Sequence, residues 1–241
     1  MSSRSVWAVV PVKPFARAKQ RLGGTVRRSE RARLARLMLE DVLDVLAACT
    51  ALSGVVVVTG DPAAADIGRA RGAVVRDDGG RDLNAAVQAG AELLLQNGAD
   101  GMIVVASDIP LLPPALIAQL ADHVARPPAL ALVPATRDGG TNLLALSPVR
   151  AIAPCFGPDS FARHCAAARH AGIDATVLAS TEAGLDIDRP DDLVAFLSVP
   201  SATRSYAYLA TLPIEARLKP LRHARAARTV CSLSPLRRGV G

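Results

Sequence analysis

The feature that most constrains the fold of this chain is an alternation of short β-branched runs with longer segments rich in Ala, Leu and Arg. The run at residues 54–59 is short and dominated by valine, whereas residues 30–48 repeat apolar side chains every three or four positions. The first pattern is typical of a buried strand and the second of an amphipathic helix. Such alternation builds βαβ units. We therefore predict an α/β fold with three layers and a mostly parallel sheet.

Thirteen elements follow from this pattern. Strands are predicted at residues 5–11, 54–59, 73–76, 102–106, 130–134, 143–147 and 175–179. Helices are predicted at residues 30–48, 63–71, 83–97, 114–125, 159–171 and 191–197, the first with Ser29 as its N-cap. Pro114 and Pro190 suit helix starts, where the missing N–H of proline leaves no hydrogen bond unmade.

Charge divides the chain into two parts. The whole chain carries a net +6, but the eight basic side chains and one acidic side chain beyond residue 200 already account for +7. We predict one domain, residues 1–198, and a basic C-terminal tail, residues 199–241. Whether part of this tail is disordered is left open. A nearly neutral body with 3% aromatic residues argues against a nucleic-acid groove on the domain. A nucleic-acid-binding module acting through the tail remains the alternative.

Composition and cysteine spacing bear on the compartment. Half of the residues are apolar, which allows a sizeable core, yet no uncharged apolar run reaches the ~18 residues that span a bilayer. The opening apolar run ends at Lys13 without a signal-cleavage site. The cysteines are widely spaced and form no C-x-x-C pair: Cys49, Cys155, Cys165 and Cys231. We expect a soluble, cytoplasmic protein with free thiols and no membrane contact, zinc site or disulfide framework.

Cations are concentrated directly after the first predicted strand. Lys13, Arg17, Lys19 and Arg21 lie within nine residues that contain no acid. Ligands of open α/β sheets bind at the carboxyl ends of the strands, where such a loop can wrap a polyphosphate. A solvated basic turn is the alternative. The sequence has neither G-x-x-x-x-G-K-[ST] nor a G-x-G-x-x-G after a strand, which disfavours P-loop kinases and nicotinamide dehydrogenases.

Carboxylates follow later strands in a pattern that suits a divalent metal. Asp108 comes directly after the fourth predicted strand, and Asp186 and Asp188 are spaced to share one face of an extended segment. A hard cation beside nucleotide phosphates commonly uses one or two carboxylates. Asp191 and Asp192 instead favour the positive start of the helix that follows. We predict a split metal site of Asp108 with Asp186 or Asp188; a capping role for Asp108 is the alternative.

Three polar loops that contain glycine complete the candidate site. They are residues 77–84, 137–142 and 155–161. The first offers backbone amides and Asn84 to a base edge, and the other two each pair a glycine with a hydroxyl, Thr141 and Ser160. Ordinary turns and helix caps explain each loop equally well. The four histidines show no metal spacing, and none is given a role.

Taken in order, these segments resemble the CofC/FbiD-type guanylyltransferases of coenzyme F420 biosynthesis. The segments that carry the resemblance are 10–22 (VPVKPFARAKQRL), 82–86 (DLNAA), 107–112 (SDIPLL), 139–144 (GGTNLL), 156–164 (FGPDSFARH) and 185–193 (LDIDRPDDL). They span most of residues 6–198. Each segment is weak alone, but six in the right order are specific.

The resemblance implies a glycosyltransferase-A-like nucleotidyltransferase fold and transfer of GMP from GTP to a phosphorylated three-carbon acid, with release of pyrophosphate. The acid would be phosphoenolpyruvate, 2-phospho-L-lactate or 3-phospho-D-glycerate, and Mg²⁺ would be the cofactor. The roles that it implies are Lys13, Lys19 and Arg21 on the triphosphate, Asn84 on the guanine or ribose, Asp108 with Asp186 or Asp188 on Mg²⁺, and Thr141, Gly157 and Ser160 on the acceptor.

The implied chemistry agrees with the residues present. An acceptor phosphate is already ionised at neutral pH, so its attack on the α-phosphorus needs positioning and charge neutralisation but no general base. Two features depart from the family: Asp82 stands where glycine is expected, and the tail has no counterpart. The predicted partners are GTP and the acid, with no nucleic acid, while a homodimer and a downstream F420 transferase are left open. A catalytically inactive scaffold is the remaining alternative.

Overall fold

A seven-stranded sheet forms the centre of the computed structural model, which describes residues 4–218. Its strands are β1 (Val6–Pro11), β2 (Gly54–Val58), β3 (Val74–Arg76), β4 (Gly101–Val105), β5 (Ala129–Pro134), β6 (Thr141–Ser147) and β7 (Ala175–Val177). Their order across the sheet is β3-β2-β1-β4-β6-β5-β7. Only β6 runs antiparallel to its neighbours, β4 and β5. The predicted mostly parallel sheet is therefore confirmed.

Helices cover both faces of the sheet. They are α1 (Arg28–Ala48), α2 (Pro62–Arg69), α3 (Leu83–Gln96), α4 (Pro114–Val124), α5 (Ser160–His170), α6 (Pro190–Leu197) and α7 (Arg204–Ala210). Alternate residues of β1 point to opposite faces: Ala8 and Val10 enter a core with α1, α2, α4, α6 and α7, while Val9 enters a second core with α3 and α5. The three predicted layers are thus present.

Every predicted strand and helix is found, with ends that differ by a few residues. The predicted N-cap of α1 is wrong. The helix begins at Arg28, and its N-cap is Arg27 instead of Ser29. The backbone N–H of Arg27 donates to the carboxylate of Glu30 at 2.8 Å. This bond to a charged acceptor in the first turn fixes the N-cap at Arg27, so Ser29, two positions later, lies inside the first turn.

Helix α7 was not predicted, and it is fastened to α1 by one buried carboxylate. Asp41 accepts hydrogen bonds from the backbone N–H of Arg204 at 2.9 Å and from the N–H and hydroxyl of Ser205 at 3.0 and 2.6 Å. Leu209 and Leu218 are buried in the same core as α1. The packed structure therefore continues to the last described residue.

The domain boundary at residue 198 stays a prediction. Disorder within the basic tail, where it concerns residues 219–241, lies outside the described residues, as does Cys231. Cys49, Cys155 and Cys165 form no disulfide within the described residues. Between residues 4 and 218, no helix combines the length and apolar character that crossing a bilayer requires.

Candidate active site

The basic loop after β1 is held in place by apolar and polar anchors, which leave Lys13, Arg17 and Arg21 exposed. It contains two 3-10 turns, Phe15–Arg17 and Gln20–Leu22. Phe15 and Leu22 are buried in the core, and the backbone N–H of Phe15 donates to Oδ2 of Asp61 at 2.8 Å. Because these anchors fix the loop at both ends, its basic side chains are presented at the carboxyl end of the sheet.

Lys19 lies between the two turns, and its side chain is directed inward. Its backbone is left-handed, with φ 54° and ψ 38°, a conformation that costs a non-glycine residue on the order of 1 kcal/mol. Its Nζ lies 2.5 Å from Oδ2 of Asp108 and 2.8 Å from Oδ1 of Asp188. Burial alone would lower the pKa of Lys19, but the two carboxylates outweigh burial and raise the pKa above its ordinary value.

Asp108, Asp186 and Asp188 form one cluster, in which a carboxylate oxygen of each lies within 4.8 Å of the others. The backbone N–H of Ile187 donates to the carbonyl of Asp108 at 3.2 Å and ties the two loops together. Asp192, in the first turn of α6, accepts from the backbone N–H of Asp188 at 3.1 Å. The structure therefore brings together the three carboxylates that the sequence predicted as a split site.

The cluster concentrates negative charge in a partly buried place. Burial and the carboxylates of Asp108 and Asp188 raise the pKa of Asp186 to about 6. Burial also acts to raise the pKa of Asp188, but the neighbouring Lys19 and Arg21 prevail and lower it. Carboxylates whose pKa values are shifted by burial and by neighbouring charges are typical of functional sites, and a bound cation would relieve the repulsion among them.

The donor set fits a hard divalent cation. Three carboxylates offer oxygen ligands at one place, which is what Mg²⁺ prefers in proteins. The ammonium of Lys19 lies between the carboxylates of Asp108 and Asp188. These two carboxylates therefore already bind one positively charged group in this structure.

A cleft of about 410 Å³ opens beside the cluster. One wall is the basic loop, including Lys13, Arg17, Lys19 and Arg21, and another is the segment that leads into α3, including Arg81 and other residues between 78 and 83. Asp108 and Asp188 also line the cleft. The predicted triphosphate cations thus share one cleft with two of the predicted metal ligands.

Asn84 lies next to that wall, but its side chain is already engaged. Its Nδ2 donates to the carbonyl of Phe156 at 3.1 Å, and its Oδ1 accepts from the N–H of Phe156 at 2.7 Å. Asp82 caps α3 by accepting from the N–H of Ala85 at 3.0 Å. The contact of Asn84 with a base stays a prediction, while in this structure Asn84 joins α3 to the segment before α5.

The predicted acceptor residues Thr141 and Ser160 are brought together by a third residue. The hydroxyl of Ser160 donates to Oγ1 of Thr141 at 3.3 Å, and Nδ1 of His164 lies 3.0 Å from the same oxygen. All three side chains are buried. Gly157, the other predicted acceptor residue, has φ 124°, a conformation that favours glycine. The loops at residues 137–142 and 155–161 therefore meet at the hydroxyl groups of Thr141 and Ser160.

Comparison with known proteins identifies the family. The sequence matches the family described as guanylyl transferase, CofC-like, over residues 6–232. The chain belongs to this family. The match includes most of the segment after residue 198, so the expectation that the tail has no counterpart is wrong. It is 40% identical to the phosphoenolpyruvate guanylyltransferase of Roseiflexus castenholzii, an alignment that covers 82% of this chain and 90% of that protein. It is 33% identical to the 2-phospho-L-lactate guanylyltransferase of Methanothermobacter thermautotrophicus, covering 85% and 90% of the two chains.

A solved structure supports the same fold. A protein from Desulfovibrio desulfuricans assigned to the nucleotide-diphospho-sugar transferases superimposes with a TM-score of 0.73, covering 90% of this chain and 98% of its own, at 20% sequence identity. The CofC-like guanylyltransferase therefore has a nucleotidyltransferase fold. Its family and its relatives show that it is a nucleotidyltransferase in enzyme class as well. The predicted family, fold and enzyme class are confirmed.

Two residues of this guanylyltransferase site were missed by sequence reasoning. Nδ2 of Asn142 donates to the carbonyl of Ala183 at 2.9 Å and lies 3.5 Å from Oδ1 of Asp186, beside the carboxylate cluster. His164 was given no role, although it is fully buried next to the predicted acceptor residues. A signal existed for His164, because it follows Ser160 by four positions and so shares its face of a helix.

Proposed function

We propose that the protein transfers the GMP moiety of GTP to the phosphate of a phosphorylated three-carbon acid and releases pyrophosphate, as a step of coenzyme F420 assembly. The observation that carries this proposal is the contact of Lys19 with Asp108 and Asp188 in a cleft lined by cations. Phosphoryl-transfer sites work by positioning and charge neutralisation, and both sets of groups are present.

The acceptor is one of phosphoenolpyruvate, 2-phospho-L-lactate and 3-phospho-D-glycerate, as the resemblance implies. Relatives named for the first two share 40% and 33% identity with this chain. Phosphoenolpyruvate is therefore the first acid to test. These acids share a phosphate and a carboxylate, so choice among them depends on pocket shape around the remaining atoms.

In the proposed complex, the basic loop binds the triphosphate. Lys13, Arg17 and Arg21 are exposed around the cleft and neutralise phosphate oxygens from the side of β1. Lys19, between the two turns of the same loop, contacts the carboxylate cluster directly. Neutralising the triphosphate removes the repulsion that would otherwise keep a second phosphate away from the α-phosphorus.

Asp108, Asp186 and Asp188 are the residues that would hold Mg²⁺. When bound, that ion supplies charge neutralisation to phosphate oxygens and helps to orient them. The protein's own contribution is to keep the three carboxylates together. It does so through the link from Ile187 to Asp108 and through Asp192 under Asp188.

The reaction needs no proton transfer by the protein. An oxygen of the ionised acceptor phosphate attacks the α-phosphorus of GTP and forms a new P–O bond. The bond from the α-phosphorus to the oxygen that bridges it to the β-phosphorus breaks, and pyrophosphate leaves with the electron pair. Thr141, Gly157 and Ser160 are proposed to hold the acceptor so that its phosphate faces the α-phosphorus.

The nucleoside is proposed to lie against the segment at residues 77–84. Part of this segment lines the cleft together with the basic loop. Gly80, one of the lining residues, has positive φ, and a Cβ there would meet nothing within 4 Å, so its backbone is open to a ligand. Asn84 would contribute to guanine or ribose binding only by exchanging its hydrogen bonds with Phe156 for new ones.

Other classes of function gain nothing from these observations. Four cations after β1 face one cleft, a focused arrangement that suits a small polyanion better than a nucleic-acid groove. The three free thiols agree with the proposed location in the reducing cytoplasm. A homodimer and a contact with a downstream F420 transferase stay predictions.

The test is to incubate the protein with GTP, Mg²⁺ and each of the three acids, and to follow pyrophosphate release. We expect release with at least one acid, together with a product that has the mass of the acid joined to GMP. ATP and CTP serve as nucleotide controls, and Asp188→Asn as the protein control. No pyrophosphate with any acid would contradict the proposed function.

A further inference from the structure

The hydroxyl pair of Thr141 and Ser160 is held by a histidine with no solvent contact. His164 is fully buried, one helical turn after Ser160 on α5. Its Nδ1 lies 3.0 Å from Oγ1 of Thr141, and its Nε2 lies 3.2 Å from the backbone N of Cys155. Both ring nitrogens are thus in hydrogen bonds at the same time.

These two contacts fix the tautomer of the ring. A backbone N–H can only donate, so Nε2 must accept from Cys155 and carries no proton. The one proton of the neutral ring is then on Nδ1, which donates to Thr141. Burial, with a smaller contribution from the charge of Arg163, lowers the pKa of His164 to about 4, so the neutral form prevails at physiological pH.

The proton on Nδ1 of His164 leaves one hydroxyl proton of Thr141 and Ser160 without an acceptor among these three side chains. Oγ1 of Thr141 accepts from His164 and from the hydroxyl of Ser160, so both of its lone pairs are used and its own proton is left over. If the bond between the two hydroxyls ran the other way, the proton of Ser160 would be left over instead. In either case the network of His164, Thr141 and Ser160 leaves one O–H group free to donate to a further acceptor.

We propose that His164 is a positioning residue whose Nδ1–H makes the Thr141 and Ser160 pair a hydrogen-bond donor to an anionic oxygen of the acceptor acid. This inference rests on the proposed function, because it takes those two hydroxyls as part of the acceptor site. If His164 instead accepted a hydrogen bond from Thr141, both hydroxyl protons would be used within the network. The pair could then only accept hydrogen bonds, and it would favour cations or hydroxyl groups. The structure allows only the donating arrangement.

His164 also has a purely structural contact, and the two roles must be separated. Its ring packs edge-on against Phe156, with ring centres 4.8 Å apart, and its Nε2 holds the backbone of Cys155. The backbone of Phe156 is held a second time by Asn84. Because the segment before α5 has this second anchor, losing the Cys155 bond alone should leave it in place.

Two amide variants separate the roles. His164→Asn keeps a nitrogen donor near Nδ1 and gives up the acceptor for Cys155. His164→Gln keeps an oxygen acceptor near Nε2 and gives up the donor to Thr141. We expect the KM for the acid to rise about tenfold or more in His164→Gln, the loss of one hydrogen bond, and less than about threefold in His164→Asn. The KM for GTP should be unchanged in both.

The opposite ranking, or equal effects of the two variants on the KM for the acid, would overturn the inference, since a role confined to Cys155 predicts that His164→Asn is the worse variant. Thermal midpoints of both variants identify any general loss of folding. ¹⁵N spectra of wild-type protein labelled in its histidines provide a readout that needs no variant. We expect neutral His164 protonated at Nδ1, and protonation at Nε2 would overturn the inference.

Failure of the proposed function gives a different result. If the wild-type protein releases no pyrophosphate with any acid, the proposed function is wrong, while the ¹⁵N measurement still decides the tautomer. If the wild type turns over an acid but His164→Gln matches it in KM, the positioning role alone is wrong.

Discussion

Nζ of Lys19 lies 2.5 Å from Oδ2 of Asp108 and 2.8 Å from Oδ1 of Asp188, joining three parts of the chain that are 89 and 169 residues apart. The same carboxylates are the proposed ligands of a divalent cation. An ammonium and a metal ion bind the same oxygens in competition, so Lys19 and the metal are linked.

Replacing Lys19 by glutamine should separate metal binding from nucleotide use. We expect Lys19→Gln to bind Mn²⁺ more tightly than the wild type in the absence of nucleotide, by about tenfold, because no ammonium competes for the carboxylates. With GTP and acid, kcat/KM should fall by about 100-fold, since a charge on the triphosphate is lost. Mn²⁺ binding followed by electron paramagnetic resonance and steady-state kinetics measure the two effects.

Arg69→Gln is the matched control, because Arg69 pairs with Asp66 on the exposed surface of α2. It should change neither quantity. Unchanged or weaker Mn²⁺ binding in Lys19→Gln would show that the lysine does not compete with the metal.

The charge of Asp186 should lower the free energy of unfolding and strengthen metal binding. Burial and the two neighbouring carboxylates raise its pKa to about 6, so at pH 7 its charge destabilises the folded state. Asp186→Asn removes that charge without removing either carboxylate that pairs with Lys19. We expect the free energy of unfolding at pH 7 to rise by on the order of 1–2 kcal/mol and Mn²⁺ affinity to fall tenfold or more.

Urea unfolding and Mn²⁺ titration check the two halves of this prediction. Glu92→Gln, at an exposed residue that contacts Arg150 across 3.9 Å, is the control for removing one negative charge. A less stable Asp186→Asn, or one with unchanged metal affinity, would argue against a cluster arranged for a cation.

His164 should make stability depend on pH in the acid range. Burial lowers its pKa to about 4 in the folded state, against 6.5 for the ordinary residue. The unfolded chain therefore binds a proton below pH 6.5 that the folded chain does not, and stability is lost as the pH falls from 6.5 towards 4. At pH 5 the loss from this residue should be about 2 kcal/mol relative to pH 7.

The measurement is the difference between wild type and His164→Asn in urea unfolding at pH 7 and pH 5, since other titrating groups contribute equally to both proteins. The wild type should lose more stability than the variant. Equal losses would show that His164 is protonated as easily in the folded state as in the unfolded one.

Asp41 should be essential for docking α7. It is buried and accepts three hydrogen bonds from Arg204 and Ser205. Asp41→Ala leaves those donors without a partner, and we expect a loss of about 3 kcal/mol in the free energy of unfolding. Guanylyl transfer at low temperature should persist, because α7 lies away from the cleft. Asp66→Ala, which removes an exposed ion pair, should cost less than about 1 kcal/mol.

The sheet and the placement of the site could be predicted because both follow from local patterns. Short apolar runs bounded by turn residues favour strands through their local pattern, and ligands of open α/β sheets bind at the carboxyl ends of the strands. Lys13, Asp108 and Asp188 each stand in loops at that edge of the sheet. The cations and carboxylates were therefore found from the sequence alone.

The contacts within the site could not be predicted in the same way. The inward direction of Lys19 depends on its left-handed backbone between two short turns, for which the sequence has no glycine or asparagine signal. The bonds of Asn84 to Phe156 join segments 72 residues apart. Helix α7 is short, and its stability comes from Asp41 on another helix.

The route of the phosphorus atoms of GTP distinguishes guanylyl transfer from transfer of the terminal phosphate. The protein is incubated with Mg²⁺, phosphoenolpyruvate and GTP that carries ³²P at either the α- or the γ-position, and the products are separated. Guanylyl transfer predicts that α-label appears in the acid adduct and that γ-label appears in pyrophosphate. Label from the γ-position in the acid product, or no labelled adduct with this acid or the other two, would contradict the account.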